Sequence, residues 1–509
     1  MRTFEDVIRA RCDLGGAAVD APGSYARGRG RADAGRVIAR LSSNDLAELA
    51  ADVGPDPRLV GAAVILDGPP LDVAEVRSLV ATRLRHAPLL TRRLRRVPRG
   101  CGRPLWEEVV PDLTAHVSAA TCPAPGDLDA LLALTARLAG EPLPPDRPWW
   151  RLVVVDRMAD GAAALVWFSH HAAADGPGTL RSVLTVLGEA PDDGTLPRPP
   201  DDGAQPRPPD AAPAPVAEAG LPSRRALVRD TALRRVAALR RLPHGLALLA
   251  AAALELAGSA GARAPRTVLN RPVESGIRLL TADVDLAHLR AAARSCGATV
   301  NDAVLCAFGR TVHAELAARG APVGNLVVGC PVTVGAGVAA GGSHGEPAQN
   351  RVGVVRLPVP APDPRRPDVR THLTRIAALT GPRKRHLSAA STVVLSPVFR
   401  ALAAAGLYRP MVDRQRTVST LVTNLRGPEQ PVRLCGRVAR AMVPVTPIVG
   451  NVPIAAVALS YAGRLSVTVR LAPSLWGAAE RVRHDLVEEL GAVASLGGGE
   501  AIPAHVSDS

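Results

Sequence analysis

Apolar positions in this chain fall into two rhythms. Short runs such as Val60 to Leu66, Arg151 to Val155 and Ala162 to Ser169 are apolar along most of their length and end in polar or glycine-containing turns, as buried strands do. The last two, joined by the polar turn Ala159-Asp160-Gly161, predict a β-hairpin whose second strand runs directly into His170-His171. Helical spacing predicts an amphipathic helix over 72–85 and a capped helix after Leu41-Ser42-Ser43-Asn44-Asp45. There Ser42 or Ser43 can accept the free amides, and Asp45 suits the positive end of the dipole.

The second half alternates the two rhythms. Strands are predicted over 278–285, 325–332, 351–358, 417–423, 451–460 and 464–470, with helices over 286–295, 299–317, 366–379 and 474–490. Arg224 to Arg241 predicts a strongly basic helix, followed by an almost wholly apolar stretch from Leu246 to Leu256. The fold class is mixed α/β. At 509 residues the chain exceeds one ordinary hydrophobic core. A natural division lies at 191–222, which holds ten prolines and repeats Pro-Arg-Pro-Pro-Asp at 197–201 and 206–210. The expected organisation is an extension over 1–39 with little periodicity, a first lobe over 40–190, the proline-rich linker over 191–222, a second lobe over 223–493 and a tail over 494–509.

The formal charge of +14 raises nucleic-acid binding, but the charge is spread along the chain and no basic run is interleaved with aromatics. Three Tyr and four Phe are too few for a stacking platform. Lys384 is the one lysine among 61 basic side chains, which suits a GC-rich coding sequence better than a nucleic-acid surface. A basic face toward an anionic membrane or an acyl-CoA phosphate is the better use of the charge. The seven cysteines (Cys12, Cys101, Cys122, Cys296, Cys306, Cys330 and Cys435) are scattered and never in a C-x-x-C pair, against a disulfide framework or structural zinc. No secretory leader pattern opens the chain and no apolar run is long enough to span a bilayer, so the expected location is cytoplasmic, with a peripheral membrane contact through the 224–256 region.

The candidate chemistry is His170-His171-Ala172-Ala173-Ala174-Asp175-Gly176. A strand end is a rigid mount, and imidazole can take a proton from a hydroxyl as its oxygen attacks a carbonyl. Small residues permit a tight turn, and Asp175 can fix it, by pairing with an arginine. The bland reading of the same residues is a buried histidine pair, an aspartate cap and a glycine turn.

H-H-x-x-x-D-G is the signature of the CoA-dependent acyltransferase superfamily, and over about residues 41 to 493 the chain resembles the bacterial wax ester synthase/diacylglycerol acyltransferase family. The resemblance rests on blocks in order: Leu41 to Asp45, Arg83 to Arg96, Gly102 to Trp106, Arg147 to Trp150, Thr267 to Asn270, Thr299 to Leu305, Asn350 with Leu357-Pro358, Thr423 to Pro428 and Ser460 to Gly463. Departures include Ser43 in place of proline, Trp149 in place of leucine, which would narrow the acceptor space, Ala303 for a common valine and Gln349 for glycine.

The resemblance implies two chloramphenicol-acetyltransferase-like lobes with an active-site tunnel between them. It makes His171 the general base, with His170 setting its orientation, Asp175 and Gly176 organising the loop, and Asn301 lining the tunnel from the second lobe. Asn301-Asp302 equally reads as a helix cap. No cofactor is implied; acyl-CoA is a co-substrate, and a fatty alcohol or diacylglycerol the acceptor, at a membrane or lipid-droplet surface. A condensation-type enzyme using a carrier-protein thioester, or a non-catalytic lipid-binding relative, are the alternatives the residues leave open.

Overall fold

The computed structural model describes residues 38–189, 221–240, 263–333, 352–385, 398–448 and 450–497, apart from 364, 366, 367, 400 and 404. The expected apolar segment 246–256, the proline-rich 191–220, and Gln349 and Asn350 lie outside these residues. The first part carries β1 (Leu59–Leu66), β2 (Arg92–Arg95), β3 (Leu105–Glu108), β4 (Val117–Thr121), β5 (Trp150–Asp156) and β6 (Ala163–His170). The second carries β7 (Arg278–Asp285), β8 (Asn325–Thr333), β9 (Val352–Pro360), β10 (Thr420–Arg426), β11 (Arg433–Leu434), β12 (Arg437–Val445), β13 (Ile454–Tyr461) and β14 (Arg464–Leu471).

These strands build two large mixed sheets. One has the order β11-β12-β1-β6-β5-β4, the other β7-β14-β13-β10-β8-β9, and β2 and β3 form a separate ribbon. In the first sheet β6 is central, paired antiparallel with β1 and β5. Every residue of β6 is buried. Its even positions Ala164, Val166 and Phe168 meet the helix Leu128–Gly140, while Ala163, Leu165 and Trp167 pack in the core under the helices Val73–Arg83 and Gly176–Leu187. Covering on both faces is why the strand reads as one continuous apolar run.

The helices of the second lobe, Leu286–Ser295, Val300–Ala318, Val369–Arg385 and Ala479–Ala494, share one core with the second sheet. Among the described residues no helix is long and apolar enough to cross a membrane.

Chain order and sheet membership do not coincide. Residues 433–445, deep in the expected second lobe, supply β11 and β12 to the first sheet, where β12 pairs antiparallel with β1 from Gly61↔Val445 to Leu66↔Ala439. The helix Arg224–Arg240 likewise leans on the first part: Arg40 bonds Asp230 at 2.9 Å, and Leu227 is buried with Cys101 and Leu105. No strand is expected from sequence over 437–445, a segment that holds Pro444, a residue with no amide to donate to a ladder. β11 covers β12 only at Arg437 and Val438, so Pro444 lies where the outer edge needs no amide donor.

Contacts between the lobes are polar as well as apolar. Arg470 of β14 meets Asp56, just before β1, at 2.9 Å; the two side chains are 2% and 6% exposed. Asp56 also accepts bonds from the Ser275 hydroxyl (2.9 Å) and the Gly276 amide (3.2 Å). Burial pulls the Arg470 guanidinium down to about 10, with the Asp56 charge opposing that pull. The helix Ser43–Ala51 packs its Ala50 and Ala51 against Ala403, Tyr408 and Val412.

Candidate active site at the end of β6

The histidine pair sits where β6 ends and the chain turns. The His170 carbonyl accepts from the amides of Ala173 (2.8 Å) and Ala174 (3.1 Å), so the alanines form a tight turn. Asp175 then caps the helix Gly176–Leu187, its Oδ1 accepting from the Gly178 amide at 2.8 Å. Among the described residues the Asp175 carboxylate is engaged by this amide and not by an arginine, so the loop is fixed through a helix cap.

Gly176 begins that helix at the junction of the lobes. A Cβ there would stand 3.0 and 3.2 Å from the Leu425 methyl groups of β10. The glycine thus lets this loop approach the second sheet closely.

His170 is buried, and its ring is oriented on three sides. Nδ1 accepts from the Ala172 amide at 3.1 Å, Nε2 faces Asp52 Oδ2 at 3.4 Å, and the Trp149 ring lies against it at 4.6 Å between centroids. An amide donating to Nδ1 leaves the proton of the neutral ring on Nε2, toward Asp52. Trp149 is itself buried and meets Trp106 edge-on at 6.0 Å, so it packs the wall behind His170.

His171 is more open, with 16% of its side chain exposed. Its amide bonds the Arg58 carbonyl at 2.8 Å, one step beyond the Leu59↔His170 pair of the β1–β6 ladder. Register therefore puts Arg58 opposite His171. The Arg58 side chain holds Glu48 Oε2 through Nε (3.0 Å) and a terminal nitrogen (2.5 Å). The same Glu48 oxygen lies 3.7 Å from His171 Nδ1.

Burial would raise the Glu48 carboxyl, but the charges of Arg58 and of the two imidazoles outweigh it and hold the group at about 2. Burial is the largest single influence on the Arg58 guanidinium and lowers it, but Glu48, Tyr408 and Asp52 together outweigh it, so the net direction is upward. Tyr408, packed against the same helix from the second lobe, is pushed by burial to about 12. Glu48, Asp52, Arg58 and Tyr408 were not singled out from sequence. The available signal was the spacing of Glu48 and Asp52, which puts two carboxylates on one helix face.

Asn301 belongs to the second lobe. It is half-buried in the first turn of the helix Val300–Ala318, and no hydrogen bond joins it to His170 or His171. Asp302 next to it is a cap: it closes a reciprocal box with Thr299 and accepts from the Thr380 hydroxyl at 2.7 Å. Asn270 also serves the fold, donating to the Ser419 carbonyl (2.9 Å) and the Asn451 carbonyl (3.1 Å).

The fold is thus two mixed sheets, with a His-His-x-x-x-Asp-Gly turn at the end of a central strand. The model of the wax ester synthase/diacylglycerol acyltransferase catalytic domain matches residues 41–304, and that of the C-terminal domain of the same family matches residues 348–493. The chain belongs to this family, as an acyl-CoA-dependent O-acyltransferase making triacylglycerol or wax esters. A probable diacylglycerol O-acyltransferase of Mycobacterium tuberculosis is 29% identical over 416 residues, which is 80% of this chain and 84% of that one. The wax ester synthase/diacylglycerol acyltransferase of Marinobacter aquaeolei superposes with a TM-score of 0.60 at 20% identity, over 91% of this chain and 100% of that one. The starter condensation domain of rhizomide synthetase, solved with C8-CoA, superposes with a TM-score of 0.56 at 15% identity, over 92% and 98% of the two chains. At these identities the structural likenesses show the shared two-lobe fold.

Proposed function

We propose that the enzyme moves a long-chain acyl group from acyl-CoA to diacylglycerol or a fatty alcohol, with His171 as general base and no covalent acyl-enzyme. The alcohol gives its proton to the His171 ring as its oxygen bonds to the thioester carbon. The tetrahedral intermediate then collapses, the carbon–sulfur bond breaks, and the proton passes from the imidazolium to the leaving sulfur. Atoms and charge balance without a metal or redox partner.

The observation that carries this reading is the mount: an imidazole just past a fully buried central strand, beside a loop that touches the second lobe through Gly176 and Leu425. A tunnel between the lobes would bring donor and acceptor to that ring. Asn301 is proposed to face the reacting carbonyl from the second lobe, near a helix N-terminus whose dipole favours a developing oxyanion.

The test is an acceptor screen with labelled palmitoyl-CoA and the purified full-length chain. His171→Ala is expected to lower turnover by about 10² to 10⁴, and full activity in that variant refutes the assignment. Preference for an acylated carrier protein over the CoA thioester would move the donor class to that of condensation enzymes.

A lipid surface is the proposed setting. The helix Arg224–Arg240 exposes Val228, Leu233 and Val236 among Arg224, Arg225, Arg229 and Arg235, the mixture of apolar and basic side chains that suits an anionic interface.

A further inference from the structure

The carboxylate of the signature, Asp175, is occupied at its helix cap and takes no part in orienting His171. A different carboxylate stands in the place where a base needs support. Glu48 Oε2 is 3.7 Å from His171 Nδ1, and it is held there by two nitrogens of Arg58, the residue that the β1–β6 ladder sets opposite His171. The clamp is local and preorganised, because the backbone that pairs with His171 also carries the guanidinium that fixes Glu48.

We infer that Glu48, clamped by Arg58, is a positioning residue for His171, keeping the proton of the neutral ring on Nδ1 and leaving Nε2 as the base. This rests on the reading of His171 as the base. When Nε2 takes the alcohol proton the ring becomes cationic, and the neighbouring carboxylate offsets that charge until the proton leaves on the CoA sulfur. Glu48 gains and loses no proton in the cycle. A separation of 3.7 Å suits a resting enzyme, since catalytic hydrogen bonds often tighten only in the substrate complex.

The other groups around the ring are engaged elsewhere. Asp52 faces His170 Nε2 at 3.4 Å and accepts from the Arg58 amide at 3.3 Å. His170 spends Nδ1 on the Ala172 amide. Tyr408, pushed to about 12 by burial, stays neutral and offers no negative charge. Glu48, at 3.7 Å, is a carboxylate placed to act on His171.

The experiment compares wild type, Glu48→Gln, Glu48→Asp and His171→Ala as full-length proteins with palmitoyl-CoA and the accepted alcohol. Glu48→Gln is expected to lower kcat by about 10-fold to 10³-fold, below the loss seen when a buried triad aspartate is neutralised, while KM for palmitoyl-CoA stays within about 2-fold. Glu48→Asp, which keeps the charge, is expected to recover part of kcat. In protein labelled with ¹⁵N-histidine, the His171 ring signals, identified by their loss in His171→Ala, are expected to show the Nδ1–H tautomer in wild type and a mixture in Glu48→Gln.

An unchanged kcat with unchanged ring signals in Glu48→Gln overturns the inference. If His171→Ala is inactive at the same time, the base assignment stands and only the role of Glu48 falls; an active His171→Ala removes the base assignment itself. Should Glu48→Gln fail to fold, Arg58→Lys, which keeps the carboxylate and loosens its clamp, carries the same comparison. There an unaltered kcat and tautomer is the refuting result.

Discussion

Asp56→Ala removes the negative half of the ion pair between the lobes. The pair is 2.9 Å apart and nearly sealed from water, with Arg470 only 2% exposed. At an effective dielectric near 20, two unit charges at that distance attract by about 6 kcal/mol. Breaking a buried pair by deleting one partner costs about 3–5 kcal/mol, because the other charge is left uncompensated. The Ser275 hydroxyl and Gly276 amide lose their acceptor as well. A loss of about 4 kcal/mol is therefore expected, which in a cooperative unit this large lowers Tm by about 4 °C.

Scanning calorimetry on wild type, Asp56→Ala, Arg470→Met and Asp56→Leu/Arg470→Met reads the effect directly. The double variant is expected to regain most of the loss, since apolar side chains of similar volume replace both charges. A shift below about 1 °C in Asp56→Ala, or a double variant worse than both singles, refutes the view that this pair holds the lobes together.

Two further outcomes test the site and its surroundings. Gly176→Val drives a side chain into the Leu425 methyl groups that a Cβ would already meet at 3.0 Å. It is expected to cost about 1–3 kcal/mol and to lower turnover, with Leu425→Ala in the same chain relieving both; wild-type melting and turnover in Gly176→Val would refute that contact. In liposome flotation the full-length protein is expected to rise with vesicles containing anionic lipid, and Arg225→Glu/Arg229→Glu/Leu233→Glu to rise less. Absence from anionic vesicles at about 0.1 M salt, where the Debye length is near 10 Å, removes the proposed lipid setting.

Much of the architecture could be read along the chain. The hairpin ending at His170, the edges of β7 and the helix Leu286–Ser295 follow from period and punctuation, because each is decided by neighbours a few residues apart. Asp175 as a cap was legible only as the alternative to an arginine pairing, though its acceptor role is spent three residues on, at Gly178. Family resemblance added the chemistry that local pattern cannot supply, as a histidine pair on an apolar strand fits a core as well as an active site.

What the chain order could not disclose depends on which distant segments meet. β12 joins the first sheet across the seam, its Pro444 tolerated by an uncovered edge, and local pattern carries no record of that edge. Asp56 becomes a buried anion only because β14 presents Arg470 to it. Glu48 reads in sequence as one more polar residue on a capped helix. Strand register and helix packing turn it into the carboxylate beside His171, through Arg58, and such proximity is a property of three dimensions.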